Sequence, residues 1–137
     1  MGVVKAEITL SNEMDEGNAA CGFIRADEIR TATVTAIVDT GAMNLVITEE
    51  LFQKLGLKVA EERAVNIANG QRIPCKLTSA VRVRWKDRDC PVTAVVMPGA
   101  EKILLGVVPL ENIDLMVCPN TNELVDAHGD TAMSFVY

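Results

Sequence analysis

Histidine occurs once in the 137 residues, as His128. A zinc centre built on several histidines of one chain is therefore excluded. A Ser/His/Asp or Cys/His hydrolase would have to work through this one imidazole, in the polar stretch DAHGDT. Cysteine occurs four times, as Cys21, Cys75, Cys90 and Cys118, with no C-x-x-C pair. The four read as small core hydrophobes in a reducing compartment. Aromatics are scarce (Trp85, Tyr137, Phe23, Phe52 and Phe135), which leaves little to stack bases on. Basic residues are outnumbered, 13 Lys and Arg against 19 Asp and Glu, for a net charge of −6. That argues against nucleic acid or an anionic membrane as the main partner. No apolar run approaches the ~20 residues that span a bilayer. Neither G-x-x-x-x-G-K nor G-x-G-x-x-G occurs. The opening MGVVKAEITL lacks a charged head with an apolar run, and Ala6 breaks the myristoylation pattern. These absences predict a soluble, cytoplasmic protein with no metal and no cofactor.

Hydrophobic residues make up 49% and charged residues 23%, enough to pack a core. The length predicts one domain over residues 1–137. Alternation dominates: Val4, Ala6, Ile8 and Leu10 share one face, and Thr31–Val38 alternates with many β-branched residues, so both read as strands. Ser11–Glu16 reads as a turn or loop, and Gly17–Arg30 as a short strand around Gly22–Arg25 followed by another turn. Asn44–Ile47 reads as a short strand. Thr48 suits a helix N-cap, with Glu49 and Glu50 at the positive end and Gly56 as the stop, which predicts a helix over about Glu49–Leu55. Arg63–Ala68 and Gln71–Thr78 flank Asn69-Gly70, a hairpin signal that asks for positive φ at both residues. Ala80–Trp85, Pro91–Met97 and Ile103–Leu105 read as further strands, with a charged turn at Lys86–Asp89. Pro109 opens a short helix through about Asn112. Leu115–Cys118 and Glu123–Val125 form a last hairpin. The expectation is an all-β chain of seven to nine strands with two short helices.

At an offset of 58 residues, Val38–Leu57 (VDTGAMNLVITEELFQKLGL) lies over Val96–Leu115 (VMPGAEKILLGVVPLENIDL). Val38/Val96, Gly41/Gly99, Ala42/Ala100 and Leu57/Leu115 are identical, and the order of element types matches. One supersecondary unit is used twice. The copies differ at the loop, where Asp39-Thr40 becomes Met97-Pro98, so the acid occurs once per chain.

Asp39 stands at the end of a hydrophobic strand in Ala36–Ala42 (AIVDTGA). Taken alone, D-T-G is a turn in which the aspartate caps its own backbone. Its context adds an apolar strand before it, a strand and helix after it, the Asn69-Gly70 hairpin, and the late ILLG at Ile103–Gly106. With NIANGQRI (Asn66–Ile73) and PLENIDL (Pro109–Leu115), the set resembles the retroviral-type aspartic proteases, most closely their stand-alone bacterial and archaeal relatives. The resemblance runs from Val3 to Val125 and is weakest over Ser11–Arg30.

The resemblance implies a small closed β-barrel that pairs as a homodimer, each chain giving one carboxylate to a site that cleaves a peptide or protein substrate. It makes Asp39 the catalytic acid, has Thr40 tie the two loops across the two-fold, and has Gly41 let the backbone approach substrate. Ala42 belongs to the same loop. Ala68, Asn69, Gly70 and Gln71 would form a flap tip, and Leu105 and Gly106 would pack beneath the catalytic loop. Two carboxylates about 3 Å apart share one proton, so one can act as base on water while the other donates to the substrate carbonyl. That chemistry needs no metal, histidine or nucleophilic serine. Met43 stands where many relatives carry a small polar or acidic residue and reads as a pocket liner. Val108 stands where many bacterial relatives carry an acid. Arg82, Arg84, Lys86 and Arg88 read as a solvated face, and Asp126 and Asp130 as an exposed tail. The alternatives are a dimeric peptide-binding module of the same fold without turnover, and a hydrolase dependent on His128.

Overall fold

The computed structural model describes residues 3–66, 68–118 and 120–128. Strand β1 (Val4–Asn12) buries Val4, Ala6, Ile8 and Leu10 and exposes Lys5 and Glu7, as its alternation requires. It pairs antiparallel with β2 (Thr31–Val38) along its length, from Val4 opposite Val38 to Ser11 opposite Thr31. The segment between them departs from the sequence expectation. Residues 13–20 form helix α1 (Glu13–Ala20), and Ala26–Glu28 is a 3₁₀ turn, with no strand at Gly22–Arg25. Asn12 caps α1 by accepting the Asp15 amide at 3.1 Å, and Glu13, Asp15 and Glu16 fill the first turn. Asp15 is the one buried residue of the helix, so no apolar periodicity announces it.

After the loop at residues 39–44 come β3 (Leu45–Ile47) and α2 (Glu49–Lys54). The Thr48 hydroxyl accepts the Leu51 amide at 3.1 Å, and Gly56 ends the helix at φ +62°. An arm follows, of β4 (Val59–Asn66) paired with the outer half of β5 (Arg72–Trp85). The two segments expected at Gln71–Thr78 and Ala80–Trp85 are one strand of 14 residues, with an irregularity between Leu77 and Ala80. There Thr78, 1% exposed, accepts the Ala94 amide on its hydroxyl, and the Ser79 amide donates to Lys58 O at 2.8 Å. At the arm tip, among the described residues, only Gly70 takes positive φ, +85°; Asn69 instead accepts the Gln71 amide on its side chain at 2.9 Å. That Asx bond closes the turn without the strained φ expected of Asn69. The chain continues through β6 (Arg88–Val96), β7 (Leu104–Leu105), α3 (Val107–Asn112) and the hairpin β8 (Leu115–Cys118) and β9 (Glu123–Asp126).

Seven strands run in the order β1-β2-β7-β3-β6-β5-β4, and β1 also pairs with β5, which closes a ring of strands. Inside it Ile8, Leu10, Leu45, Ile47, Leu55, Val81, Val83 and Leu105 are 0–1% exposed. The fold is mostly β, with three short α-helices rather than two among the described residues.

The repeat is visible in space. At the 58-residue offset, α2 falls on α3 residue for residue. The parallel pairs Ile37–Leu104 and Val38–Leu105 match Val95–Val46 and Val96–Ile47. β3 and β7 pair with each other about the axis that relates them, with Val46 opposite Leu104. The Ala42 amide donates to Asp39 O at 3.0 Å, and the Ala100 amide to Met97 O at 3.1 Å.

In the basic stripe Lys86 is exposed as expected, but the three arginines are half-buried in ion pairs and are not a solvated face. Arg82 and Arg84 pair with Glu13 and Glu16 of α1 and with Asp89, because α1 lies against that stretch of β5. Arg88 donates to the carbonyls of Ile113 and Asp114 and pairs with Asp126, which is exposed as expected but closes β9 rather than lying in a tail. Asp130 lies outside the described residues. Cys75 and Cys90 are buried as expected, but Cys21 is exposed and Cys118 half-buried.

Candidate active site

Asp39 follows β2 directly, at the point where the ring strands β2 and β7 run side by side. Its amide donates to Leu105 O at 3.0 Å, so the strand pairing extends one residue into the loop. One carboxylate oxygen accepts the Gly41 amide at 2.9 Å. The side chain is half-buried, beside exposed Thr40 and Gly41.

The rest of the loop is fixed by the start of α3. A helix leaves its first amides without intrahelical partners. Here they go to the loop: Gly106 N–H to Asn44 O at 3.1 Å, Val107 N–H to Ala42 O at 2.9 Å and Val108 N–H to Met43 O at 2.8 Å. The loop thus serves as the cap of α3, whose N-cap residue Gly106 has no side chain to do so. The approach is close enough that a Cβ on Gly106 would stand 2.5 Å from Asn44 O and 2.6 Å from Ala42 O.

The structure therefore brings Asp39, Thr40, Gly41, Ala42, Leu105 and Gly106 into one cluster. Ala68, Asn69, Gly70 and Gln71 stand apart at the arm tip, and among the described residues no hydrogen bond joins them to the loop. Between arm and loop opens a cavity of about 360 Å³, lined by Asn44, Ala60, Glu61, Arg63, Leu77 and Thr93. A larger cavity, about 660 Å³, lies elsewhere, among Lys5, Glu7, Arg84, Trp85 and Glu123, and touches none of these site residues. Asn44 and Val107 were not singled out from sequence, and Val108 only as a departure from bacterial relatives; the run ILLG followed by a helix start was the available signal. Met43 is 70% exposed, with Val108 beside it at 38%. Among the described residues no cluster of His, Cys, Asp or Glu is arranged to hold a metal ion. His128 pairs with Asp114, away from the Asp39 loop.

Residues 26–108, which include this loop, the arm and the Gly106 contact, match the aspartyl protease family. The chain belongs to that family. Its fold is also that of a solved structure. The retroviral protease-like domain of Ddi1 from Leishmania major superposes with a TM-score of 0.58 at 16% identity, over 92% of this chain and 89% of that one. EIAV protease, solved with the inhibitor HBY-793, is similar at a TM-score of 0.48 and 19% identity, over 58% of this chain and 76% of that one. No curated protein matches by sequence. This aspartyl protease-family chain has a retropepsin-like fold, and among its described residues no helix is long and apolar enough to cross a membrane.

Proposed function

We propose that the protein is a homodimeric aspartic endopeptidase of the cytoplasm, a single domain per chain, in which Asp39 of each copy forms a shared carboxylate pair. One observation carries this reading. The fold contains the acid-bearing loop twice, but the second copy presents Met97 where the first presents Asp39, so one chain supplies one carboxylate. A water-activating pair then needs a second chain, and a two-fold axis through the exposed Asp39-Thr40-Gly41 face supplies it with the same patch on both sides.

In the pair, two carboxylates about 3 Å apart cannot both ionise and hold one proton between them. The ionised one takes a proton from water as the other donates to the carbonyl oxygen of the scissile peptide. Thr40 ties the two loops together across the axis. Ala68, Asn69, Gly70 and Gln71 cover the substrate from the arm. Leu105 and Gly106 hold the loop from beneath through the bonds to Asp39 and Asn44.

The test is peptide-library cleavage by wild type and Asp39→Asn, with sedimentation of both. Dimers in both cases, with cleavage in wild type alone, support the reading. A strict monomer at high concentration, or equal cleavage by the variant, overturns it. A wild-type dimer that binds peptides and cuts none is the binding module instead.

A further inference from the structure

Helix α1 is attached to the ring of strands in an unusual way. Of its eight residues only Asp15 is buried, and Met14 is 62% exposed. A helix this short is unstable alone in water, and Gly17 in its interior weakens it further. What holds it is charge. Arg82 of β5 grips both Glu13 carboxylate oxygens at 2.7 Å. Arg30 grips both oxygens of Asp15 at 2.9 and 3.0 Å, and adds its own amide at 3.0 Å. Arg84 and the Ser11 hydroxyl meet Glu16 at 2.7 and 2.6 Å. Each carboxylate of the first turn thus has its own arginine on the body of the fold.

We propose that α1 is a strap held down by these three carboxylates, which lifts off at acid pH or high salt while the ring of strands stays folded. Every charged group near it fits that description. Asp89 of β6 also pairs with Arg82 and Arg84 and so competes with α1 for them. Arg25, Asp27 and Glu28 of the 3₁₀ turn pair among themselves. From β1 the facing group is Ser11, which does not titrate in this range. Beneath the strap, β1 and β5 bury Leu10, Val81 and Val83, which are indifferent to pH.

The direction follows from the pairs. Hydrogen bonds from Arg30 hold the Asp15 carboxyl below its ordinary value, and those from Arg84 do the same for Glu16. Groups with depressed folded-state values stabilise above their ordinary range and lose that effect as pH falls through the folded value. Release therefore falls below the ordinary carboxylate range of about pH 4. The released strap uncovers Arg30, Arg82 and Arg84.

Hydrogen–deuterium exchange on the full chain tests this at about pH 7 and about pH 3. Protection factors for amides 16–21 should fall at least ~10-fold at the lower pH, while those of 81–96 hold; one ~10-fold step is one decade in the opening constant. Glu13→Gln/Glu16→Gln should open the strap at neutral pH, and 1 M salt should partly do so in wild type. The proposal fails if α1 and residues 81–96 lose protection together. It also fails if the double variant keeps wild-type protection over 16–21, with 81–96 in the same sample reporting the fold.

Discussion

Gly106 donates its amide to the carbonyl of Asn44 at 3.1 Å, and a Cβ at the same position would stand 2.5 Å from that oxygen. The hydrogen bond and the missing side chain are one requirement: α3 can cap itself on the Asp39 loop only because nothing separates them. In Gly106→Ala the obstacle is backbone, so the loop itself must move. Denaturant unfolding should show a loss of about 1–3 kcal/mol. Peptide cleavage should fall far more than that folded fraction accounts for. A variant with wild-type stability and cleavage would show that the close approach is not needed.

Asn12 caps α1 with its oxygen and donates its nitrogen to Leu55 O at 3.0 Å and Gly56 O at 3.4 Å, at the end of α2. Asn12→Ala removes a helix cap and unpairs a buried carbonyl together. The expected destabilisation is about 2–4 kcal/mol, above the ~1 kcal/mol of a cap alone. Chemical denaturation measures it, and a value within the range of a plain cap would mean that the α2 bonds contribute nothing.

Arg30 lies across Gly56, where a Cβ would fall 1.9 Å from a guanidinium nitrogen. Gly56→Ala should therefore cost more than the ~1–2 kcal/mol of a left-handed alanine. Part of that excess should vanish when Arg30 is already alanine. A double-mutant cycle gives the coupling, expected at about 0.5–3 kcal/mol. Strict additivity would place the whole effect in the backbone.

Asp15 binds Arg30 through two oxygens, and its carboxyl is held below the ordinary value by those bonds. Asp15→Asn should be most destabilising near neutral pH. The gap from wild type should close as pH falls through the depressed folded value, where wild type loses the same contribution. A gap independent of pH would mean that packing, not charge, is what the substitution removes.

If two Asp39 carboxylates share a proton, cleavage should be bell-shaped in pH, with both limbs belonging to the pair rather than to either residue. A single sigmoidal limb across the folded range would speak against the shared proton.

Much of the ring is legible because each strand buries one face. β1 and β2 alternate cleanly, and Thr48 and Gly56 bracket α2 as expected. β4 reads poorly because nearly all of it is exposed; it is a strand through pairing with β5. Helix α1 is hidden for the opposite reason from most missed helices. Its partners are arginines far along the chain, such as Arg82 for Glu13, so nothing local marks the contact. At the site, the D-T-G loop is legible from the strand before it and the helix after it. The need for glycine at 106 is not, since it comes from three carbonyls, at residues 42–44, that only the fold brings beside it.

The irregularity at Thr78–Ser79 interrupts β5 without freeing the arm. Below it the strand is bonded to β1 and β6; above it Lys76 and Leu77 still pair with β6, and only residues 72–75 have β4 alone. With Lys76 paired to Val96 of β6 and to Glu49 of α2, the arm leaves the ring at that residue. From Lys76 to Gln71 the free length is about 16 Å at ~3.3 Å per residue, so a tilt of about 10° carries the tip about 3 Å. A small adjustment where the arm leaves the ring is thus enough to shift Asn69 and Gly70 at its tip.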